Sequence, residues 1–150
     1  MPSVRCYSID NGGGAQGNPE PEGSTTMIGY LIDVENDKAR VVDIHDNDHL
    51  GQFYRLIGCD YIDIAVRKVG GKPYNIVVDD EGFLKRGAKI SGIDNHMGVM
   101  LAGSIILFGI GEDGDLASID DEDRLNIEQN VVELFDIDVM QTHPVLMMEY

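Results

Sequence analysis

The sequence has no tryptophan and little cysteine, and these shortages restrict what the chain can be. Two cysteines among 150 residues, Cys6 and Cys59, are too few for a disulfide scaffold, so we expect reduced thiols. Aromatic residues make up 7% of the chain, whereas hydrophobic residues reach 43%. Aliphatic side chains must therefore form most of the core, and a chain of this length is expected to build one domain.

Long hydrophobic runs are also missing. The longest, residues 99–110, contains glycines and is about half as long as a bilayer-spanning helix, so we interpret it as a buried strand. The first 14 residues lack the apolar segment of a signal peptide. We therefore expect a cytoplasmic protein that does not contact a membrane.

Basic residues are scarce, and they almost stop at Lys89. After it there are thirteen acidic residues and one basic residue, Arg124, so residues 90–150 carry −12 of the net charge of −16. Such acidity excludes direct binding to nucleic acid or to an anionic membrane. Two interpretations remain: the charge keeps the protein soluble, or an acidic face meets a basic partner and imitates the phosphates of DNA.

The distribution of glycine and proline divides the chain into two parts. Residues 1–26 are rich in both and predict a flexible or loop-like arm. Residues 27–150 predict a single α+β domain with an acidic C-terminal part. Its sheet should be mostly antiparallel because strand patterns follow one another with only two helices between them. The apolar patterns predict these strands: 27–34, 38–45, 61–69, 73–80 and one within 98–110.

Two segments show helical spacing of apolar residues. Residues 48–57 predict a short helix that Asn47 or Asp48 caps and that ends at Gly58 in the left-handed conformation. Residues 120–135 predict a longer helix. The tail after it, residues 143–150, is interpreted as a short strand or as a segment that docks on a partner.

Three adjacent acids, Asp79, Asp80 and Glu81, precede Gly82 and raise the question of a metal or catalytic site. Apolar segments flank them on both sides, which is typical of a hairpin turn with Gly82 at a positive φ angle. A divalent cation would need further oxygen ligands from elsewhere in the chain. We therefore predict a turn.

No arrangement of nucleophile, base and orienting group is apparent. The histidines His45, His49, His96 and His143 lack the spacing of a zinc site. Cys59 has no neighbour that would lower its pKa, so a structural thiol is expected. The sequence thus predicts no catalytic residue, no metal ligand, no cofactor and no enzymatic activity.

Three segments together resemble a known family: IGCDYIDIAVRKVGGKPYNIVVDDEGFLKRGAKISGID (57–94), MLAGSIILFG (100–109) and LASIDDEDRLNI (116–127). The chain resembles small proteins of unknown function carried by phages and conjugative elements of Gram-positive gut bacteria, over roughly residues 38–128. This resemblance supplies no catalytic residues. It implies an accessory gene of a mobile element, acting in the bacterial host, and such genes often encode counter-defence factors.

Two functions are consistent with these observations. The first is a non-enzymatic inhibitor that binds a host defence or DNA-binding protein through a DNA-mimicking acidic surface. That surface would comprise Glu112, Asp113, Asp115, Asp120, Asp121, Glu122 and Asp123. The alternative is a protein that sequesters a nucleotide signal of host immunity in a pocket between the subunits of a homo-oligomer. Its phosphate ligands would be Arg55, Arg67, Lys68, Lys72, Lys85, Arg86 and Lys89.

Overall fold

The computed structural model describes residues 26–45, 48–84, 89–94, 96, 98–137 and 140–149. The N-terminal arm predicted at residues 1–26 lies outside the described residues except for Thr26. Within them, ten strands and two helices form an α+β fold with mostly antiparallel sheets, which confirms the predicted fold class.

The strands and helices follow in chain order. The first six elements are β1 (Thr26–Asp33), β2 (Lys38–His45), α1 (His49–Ile57), β3 (Ile62–Val69), β4 (Lys72–Asp79) and β5 (Ile90–Asp94). The last six are β6 (Val99–Ala102), β7 (Ile105–Ile110), β8 (Leu116–Ala117), α2 (Asp121–Gln129), β9 (Val131–Asp136) and β10 (Gln141–Met148).

The strands form two sheets. The first has the order β2-β1-β7-β4-β3, and the short β8 also pairs with β7. The second has the order β9-β10-β5-β6, and its β10–β5 pair is the parallel one. The first sheet is buried on both faces: one face packs against the second sheet and α2, and the other packs against α1.

Aliphatic side chains dominate both cores, as the composition requires. Ile76 and Leu107 of the first sheet and Leu146 of the second belong to the cluster between the sheets. On the opposite face, Phe53 of α1 packs against Phe108, with ring centroids 5.7 Å apart. Alternate residues of each central strand thus contribute to different cores, as the period of two predicts.

Helix α1 agrees with its predicted range to within one residue. Gly58 adopts the left-handed conformation, with φ of 76°, and its N–H donates to the carbonyl of Tyr54, as the sequence predicted. The cap at the other end differs, since Asp48 occupies the N-cap position but makes no side-chain capping hydrogen bond. Asn47 lies outside the described residues.

The predicted helix over 120–135 is wrong in its second half. Helix α2 ends at Gln129, and residues 131–136 form β9, which pairs with β10 along six residues. Leu125 and Phe135, whose spacing fits one apolar face of a helix over 120–135, are 53% and 54% exposed. Strand pairing by the β-branched Val131 and Val132 replaces helical spacing here.

The single strand predicted within 98–110 is two strands in different sheets. Gly103 has a φ of 86° and separates β6 of the second sheet from β7 of the first. A left-handed residue redirects the chain there, which glycine allows without steric cost. The apolar run is buried on both sides of this bend, so composition alone did not reveal it.

The acidic segment after β4 is a turn, but it does not close a hairpin. Residues 82–84 form a short 3₁₀ helix, and the next described strand, β5, belongs to the second sheet. Gly82 does not have a positive φ angle. Glycine is needed because a Cβ atom there would lie 2.3 Å from the carbonyl oxygen of Ala102.

The C-terminal segment forms an interior strand of the second sheet. Strand β10 lies between β9 and β5, and Val145 and Leu146 are fully buried. Of the two interpretations of the tail, a strand is therefore the correct one, and a segment that docks on a separate partner is wrong.

Candidate functional site

Six of the seven predicted partner-binding acids are exposed, and they lie in two groups. Glu112, Asp113 and Asp115 occupy the loop between β7 and β8. The second group lies at the start of α2 and consists of Asp120, Asp121 and Glu122. We call these six residues the acidic end.

Two neighbouring residues of β4 point to opposite faces of the first sheet, and each contacts one of the two segments that carry the acidic end. The side-chain amide of Asn75 donates to the carbonyl oxygens of Gly114 and Asp115, at 3.1 and 3.2 Å. The neighbouring Tyr74 donates its hydroxyl to Asp123 of α2, at 2.9 Å. Since successive side chains of a strand point to opposite faces, the β7–β8 loop lies against one face and α2 against the other.

The seventh predicted acid, Asp123, is not part of this exposed surface. It is 5% exposed, and one carboxylate oxygen lies 2.5 Å from Nζ of Lys72 and 2.9 Å from the Tyr74 hydroxyl. The other oxygen accepts the backbone N–H of Asp120, at 3.1 Å. Asp120 in return accepts the backbone N–H of Asp123, at 2.8 Å, which completes a capping box at the start of α2. Asp123 therefore holds α2 in place and does not face a partner.

The electrostatics of this cluster follow from its hydrogen bonds. Burial raises the pKa of Asp123, but hydrogen bonds from Lys72, from the backbone of Asp120 and from Tyr74 outweigh burial and hold that pKa below its ordinary value. The hydrogen bond to Asp123 raises the pKa of Lys72. Burial raises the pKa of the Tyr74 hydroxyl. At neutral pH the cluster is thus an ion pair with a neutral phenol beside it.

Two further contacts attach α2 to the first sheet. Asn126 donates its side-chain amide to the carbonyl of Val69, at 2.9 Å, and to the Tyr74 hydroxyl, at 3.0 Å. Tyr30 of β1 donates its hydroxyl to Glu128, at 3.3 Å. The backbone at Gly70 has a φ of 60°, and a Cβ there would lie 2.1 Å from the Asn126 side-chain oxygen. Helix α2 is therefore fixed along its whole length.

None of the six acids of the acidic end forms an ion pair with a residue that the structure describes. Two bases on β4 and α2 have other partners. Lys72 pairs with the buried Asp123, and Arg124 lies 3.8 Å from Glu128, one turn further along α2. Among the residues that the structure describes, no basic side chain therefore compensates the negative charge of the acidic end.

The five predicted phosphate ligands that the structure describes do not all converge on one place. Arg55 lies on α1 and is 3.9 Å from Asp48, on the opposite face of the first sheet from α2. Lys72 is bound to Asp123, and Lys89 precedes β5 in the second sheet. Arg67 and Lys68 lie on β3, the last strand of the first sheet. Lys85 and Arg86 lie outside the described residues.

Cys59, His143 and Asp79 were candidates for catalysis or metal binding in the sequence, and each is buried with contacts that stabilise the fold. Cys59 is buried in the core under α1. His143 is buried, and its Nε2 lies 2.8 Å from the carbonyl of Ile90. Asp79 is 8% exposed and accepts the backbone N–H of Glu81, at 2.9 Å, which shapes the turn after β4. Among the described residues, no three potential metal ligands lie close enough to hold an ion.

Comparison with known proteins adds no relative: no family model, no curated protein and no solved structure matches this chain. The family resemblance stated above therefore stays a prediction from the sequence. In the part of the chain that the structure describes, every helix is too short or too polar to cross a membrane.

The sequence missed the cluster of Lys72, Tyr74, Asp123 and Asn126. One signal was available: Asp120 and Asp123 have the three-residue spacing of a capping box, which requires the second carboxylate to turn back toward the helix start. That Lys72 and Tyr74 also reach Asp123 depends on the docking of α2 against β4, which no local pattern encodes.

Proposed function

We propose that the protein is a non-enzymatic binding protein whose acidic end attaches to a basic surface of a partner protein. One observation carries the proposal: six carboxylates are exposed at one end of the first sheet, without an ion pair to any described residue. Charges of one sign concentrated in this way attract and orient an oppositely charged partner.

The rigidity of the acidic end supports this proposal. The start of α2 is held by the capping box and by the buried Asp123, and the β7–β8 loop is held by Asn75. A charged surface that is already ordered loses less conformational entropy on binding than a flexible acidic tail does. Both groups of carboxylates therefore lie on backbone that is held in place before a partner binds.

The biological setting of the proposal comes from the family resemblance. An accessory protein of a phage or conjugative element that binds basic surfaces would act as a counter-defence inhibitor of a host defence or DNA-binding protein. The alternative function, sequestration of a nucleotide signal, gains no support from the five bases that the structure describes, which lie on α1, β3 and β4 and just before β5. Calorimetry with a panel of cyclic nucleotides tests that alternative.

The acidic end can be tested with two variants of equal charge. In the first, Glu112, Asp113, Asp115, Asp121 and Glu122 are replaced by lysine, and Asp120 is retained because it caps α2. In the matched control, five exposed acids outside the acidic end are replaced by lysine: Glu35, Asp60, Asp80, Glu81 and Glu133. Both variants change the net charge equally.

The measurement is the recovery of host proteins on each tagged form from cells of the bacterial host during phage infection, followed by direct titration of the partner that is recovered. We expect the first variant to lose the partner and the control to retain it. Binding of the unmodified chain should weaken steeply with added salt. Equal loss in both variants would show that only net charge matters and would refute a defined acidic surface.

A further inference from the structure

Strand β3 leaves one edge of the first sheet open. It pairs with β4 along its inner side, from Ile62 to Val69. Along its outer side, the structure shows one bridge among the described residues, between Lys68 and Glu149. Among the described residues, the backbone between residues 62 and 67 therefore has no strand partner on its outer side, and such an edge is a template for another strand.

The hydrogen bonds of β3 show which backbone groups point outward. The N–H of Ile64 donates to the side chain of Asp63, at 2.8 Å, and the carbonyl of Val66 accepts from the guanidinium of Arg67, at 2.9 Å. The carbonyl of Lys68 accepts the N–H of Glu149, at 2.8 Å. In an antiparallel ladder, alternate residues direct both backbone groups to the same side. Ile64 and Val66 thus present their N–H and carbonyl groups at the open edge.

The side chains of Asp63 and Arg67 form hydrogen bonds with these outward-facing backbone groups, and one nitrogen of the arginine is left without a partner among the described residues. Their side chains lie on the face toward the second sheet, because their partners on β4 are Val78 and Tyr74. Nε of Arg67 is shielded from solvent and has no hydrogen-bond partner among the described residues. A carboxylate from outside the chain would satisfy it.

The opposite face of the edge is apolar. Ile64 and Val66 are 46% and 54% exposed and lie beyond the core that α1 covers. Exposed β-branched residues on an open edge favour association with another strand.

We propose that the open edge of β3 binds β3 of a second copy of this chain, antiparallel and with Ala65 on the two-fold axis. In this register Ile64 lies opposite Val66 of the second copy, and these outward-facing residues exchange hydrogen bonds. Asp63 lies opposite Arg67 of the second copy, and the symmetry repeats both pairs. The edge is therefore complementary to itself in charge and in backbone pairing.

The other antiparallel registers lack this match. A shift of one residue places outward-facing groups against inward-facing ones and forms no ladder. A shift of two residues places either Asp63 or Arg67 opposite Ala65 and leaves the charge unpaired. In the proposed register, the backbone hydrogen bonds of the ladder replace those that Asp63 and Arg67 now make, and both side chains become available for the pair across the axis.

Charge exchange tests the register in the full chain. Asp63→Arg places arginine opposite arginine, and Arg67→Asp places aspartate opposite aspartate, so each change is expected to weaken dimerisation about tenfold or more. The double variant Asp63→Arg, Arg67→Asp restores opposite charges and should return the affinity to within about threefold of the unmodified chain. Sedimentation equilibrium over a range of protein concentrations measures this.

The matched control is Glu112→Arg, which changes net charge as much as Asp63→Arg but lies outside the strand. It should dimerise at least as well as the unmodified chain, because it lowers the repulsion between two acidic molecules. A chain that stays monomeric up to about 1 mM would overturn the proposal, since that limit corresponds to negligible affinity. Failure of the double variant to recover would also overturn it.

A cross-link locates the axis independently. In the proposed register the two Ala65 residues form a non-hydrogen-bonded pair with Cα atoms about 4.5 Å apart, which suits a disulfide. Ala65→Cys should therefore form a covalent dimer on mild oxidation, beyond any background from the native cysteines of the unmodified chain. Lys68→Cys is the control, because its two copies would be about 20 Å apart. Equal cross-linking of both variants would refute the register.

Discussion

The acidic end and the β3 edge are two surfaces at the first sheet, and they differ in the sign of their charges and in their backbone pairing. The acidic end carries six carboxylates of one sign on ordered backbone. The β3 edge carries Asp63, Arg67 and Lys68 beside two exposed apolar residues, and between residues 62 and 67 its outer side pairs with no other described strand. A surface of one sign repels its own copy and requires a different partner, whereas a surface with both signs in register can bind itself.

The β3–β4 hairpin connects these two surfaces. Strand β4 contributes Lys72 and Tyr74 to the cluster that holds α2, and β3 contributes the open edge. The hydrogen bonds that build the acidic end lie on the inner side and faces of this hairpin, and the outward-facing backbone groups do not take part in them. A substitution can therefore alter one of these surfaces without altering the other.

The largest effect is expected where the acidic end is anchored. Asp123→Ala removes the ion pair with Lys72, the acceptor for Tyr74 and half of the capping box. Loss of a charged hydrogen-bond acceptor and of part of a cap should lower the free energy of unfolding by about 3 kcal/mol. Urea unfolding at pH 7 measures this. The neighbouring Asp121→Ala, which removes an exposed carboxylate from the same turn, should cost less than about 1 kcal/mol.

If both variants lost the same stability, Asp123 would be equivalent to the exposed acids around it. The seven predicted acids would then form one surface, contrary to the burial of Asp123 in the structure.

The pH dependence of the free energy of unfolding is expected to distinguish Asp123 from Asp121. The folded-state pKa of Asp123 lies below the ordinary value of 3.8, so its contribution to stability is complete above that value and is lost as pH falls through the folded-state pKa. The unmodified chain should therefore lose more stability than Asp123→Asn between neutral pH and the acid range below about pH 4. Unfolding midpoints in urea, measured at successive pH values, give the difference.

Asp121→Asn serves as the control for this titration. Its pH profile should follow that of the unmodified chain, because Asp123 remains in place. Parallel profiles for the unmodified chain and Asp123→Asn would contradict the ion pair with Lys72.

Features whose signal lies within a few neighbouring residues could be predicted from the sequence, whereas features that depend on contacts with distant segments could not. Strand β3 follows from alternation, β4 follows from an apolar run after the Gly70-Gly71 turn, and Gly58 marks the end of α1, because each signal lies within a few residues. Strand β9 was missed because residues 131–136 also fit a helical period, and the choice depends on pairing with β10. Asp123 resembles Asp121 and Glu122 in sequence. Only the docking of α2 against Lys72 and Tyr74 distinguishes it.

The two surfaces should respond to salt in opposite directions. Self-association through β3 brings together two chains that each carry a net charge of −16. The screening length falls from about 30 Å at 0.01 M salt to about 8 Å at 0.15 M, so salt reduces repulsion between whole molecules. The cross-strand charge pairs act over short distances and are worth only about 0.2–1 kcal/mol each, so their weakening is the smaller effect. Dimerisation should therefore strengthen by about threefold over this range.

Binding of a lysine-rich peptide to the acidic end should weaken over the same range, because salt screens attraction between opposite charges. Sedimentation equilibrium and calorimetry on one preparation measure both trends. The Asp63→Arg variant should retain the peptide response and lose the dimer, and the five-lysine variant of the acidic end should lose the peptide response and retain the dimer. If dimerisation instead weakened with salt as peptide binding does, attraction between opposite charges would drive it, as when the acidic end binds a basic region of the second copy, and pairing through β3 would be refuted.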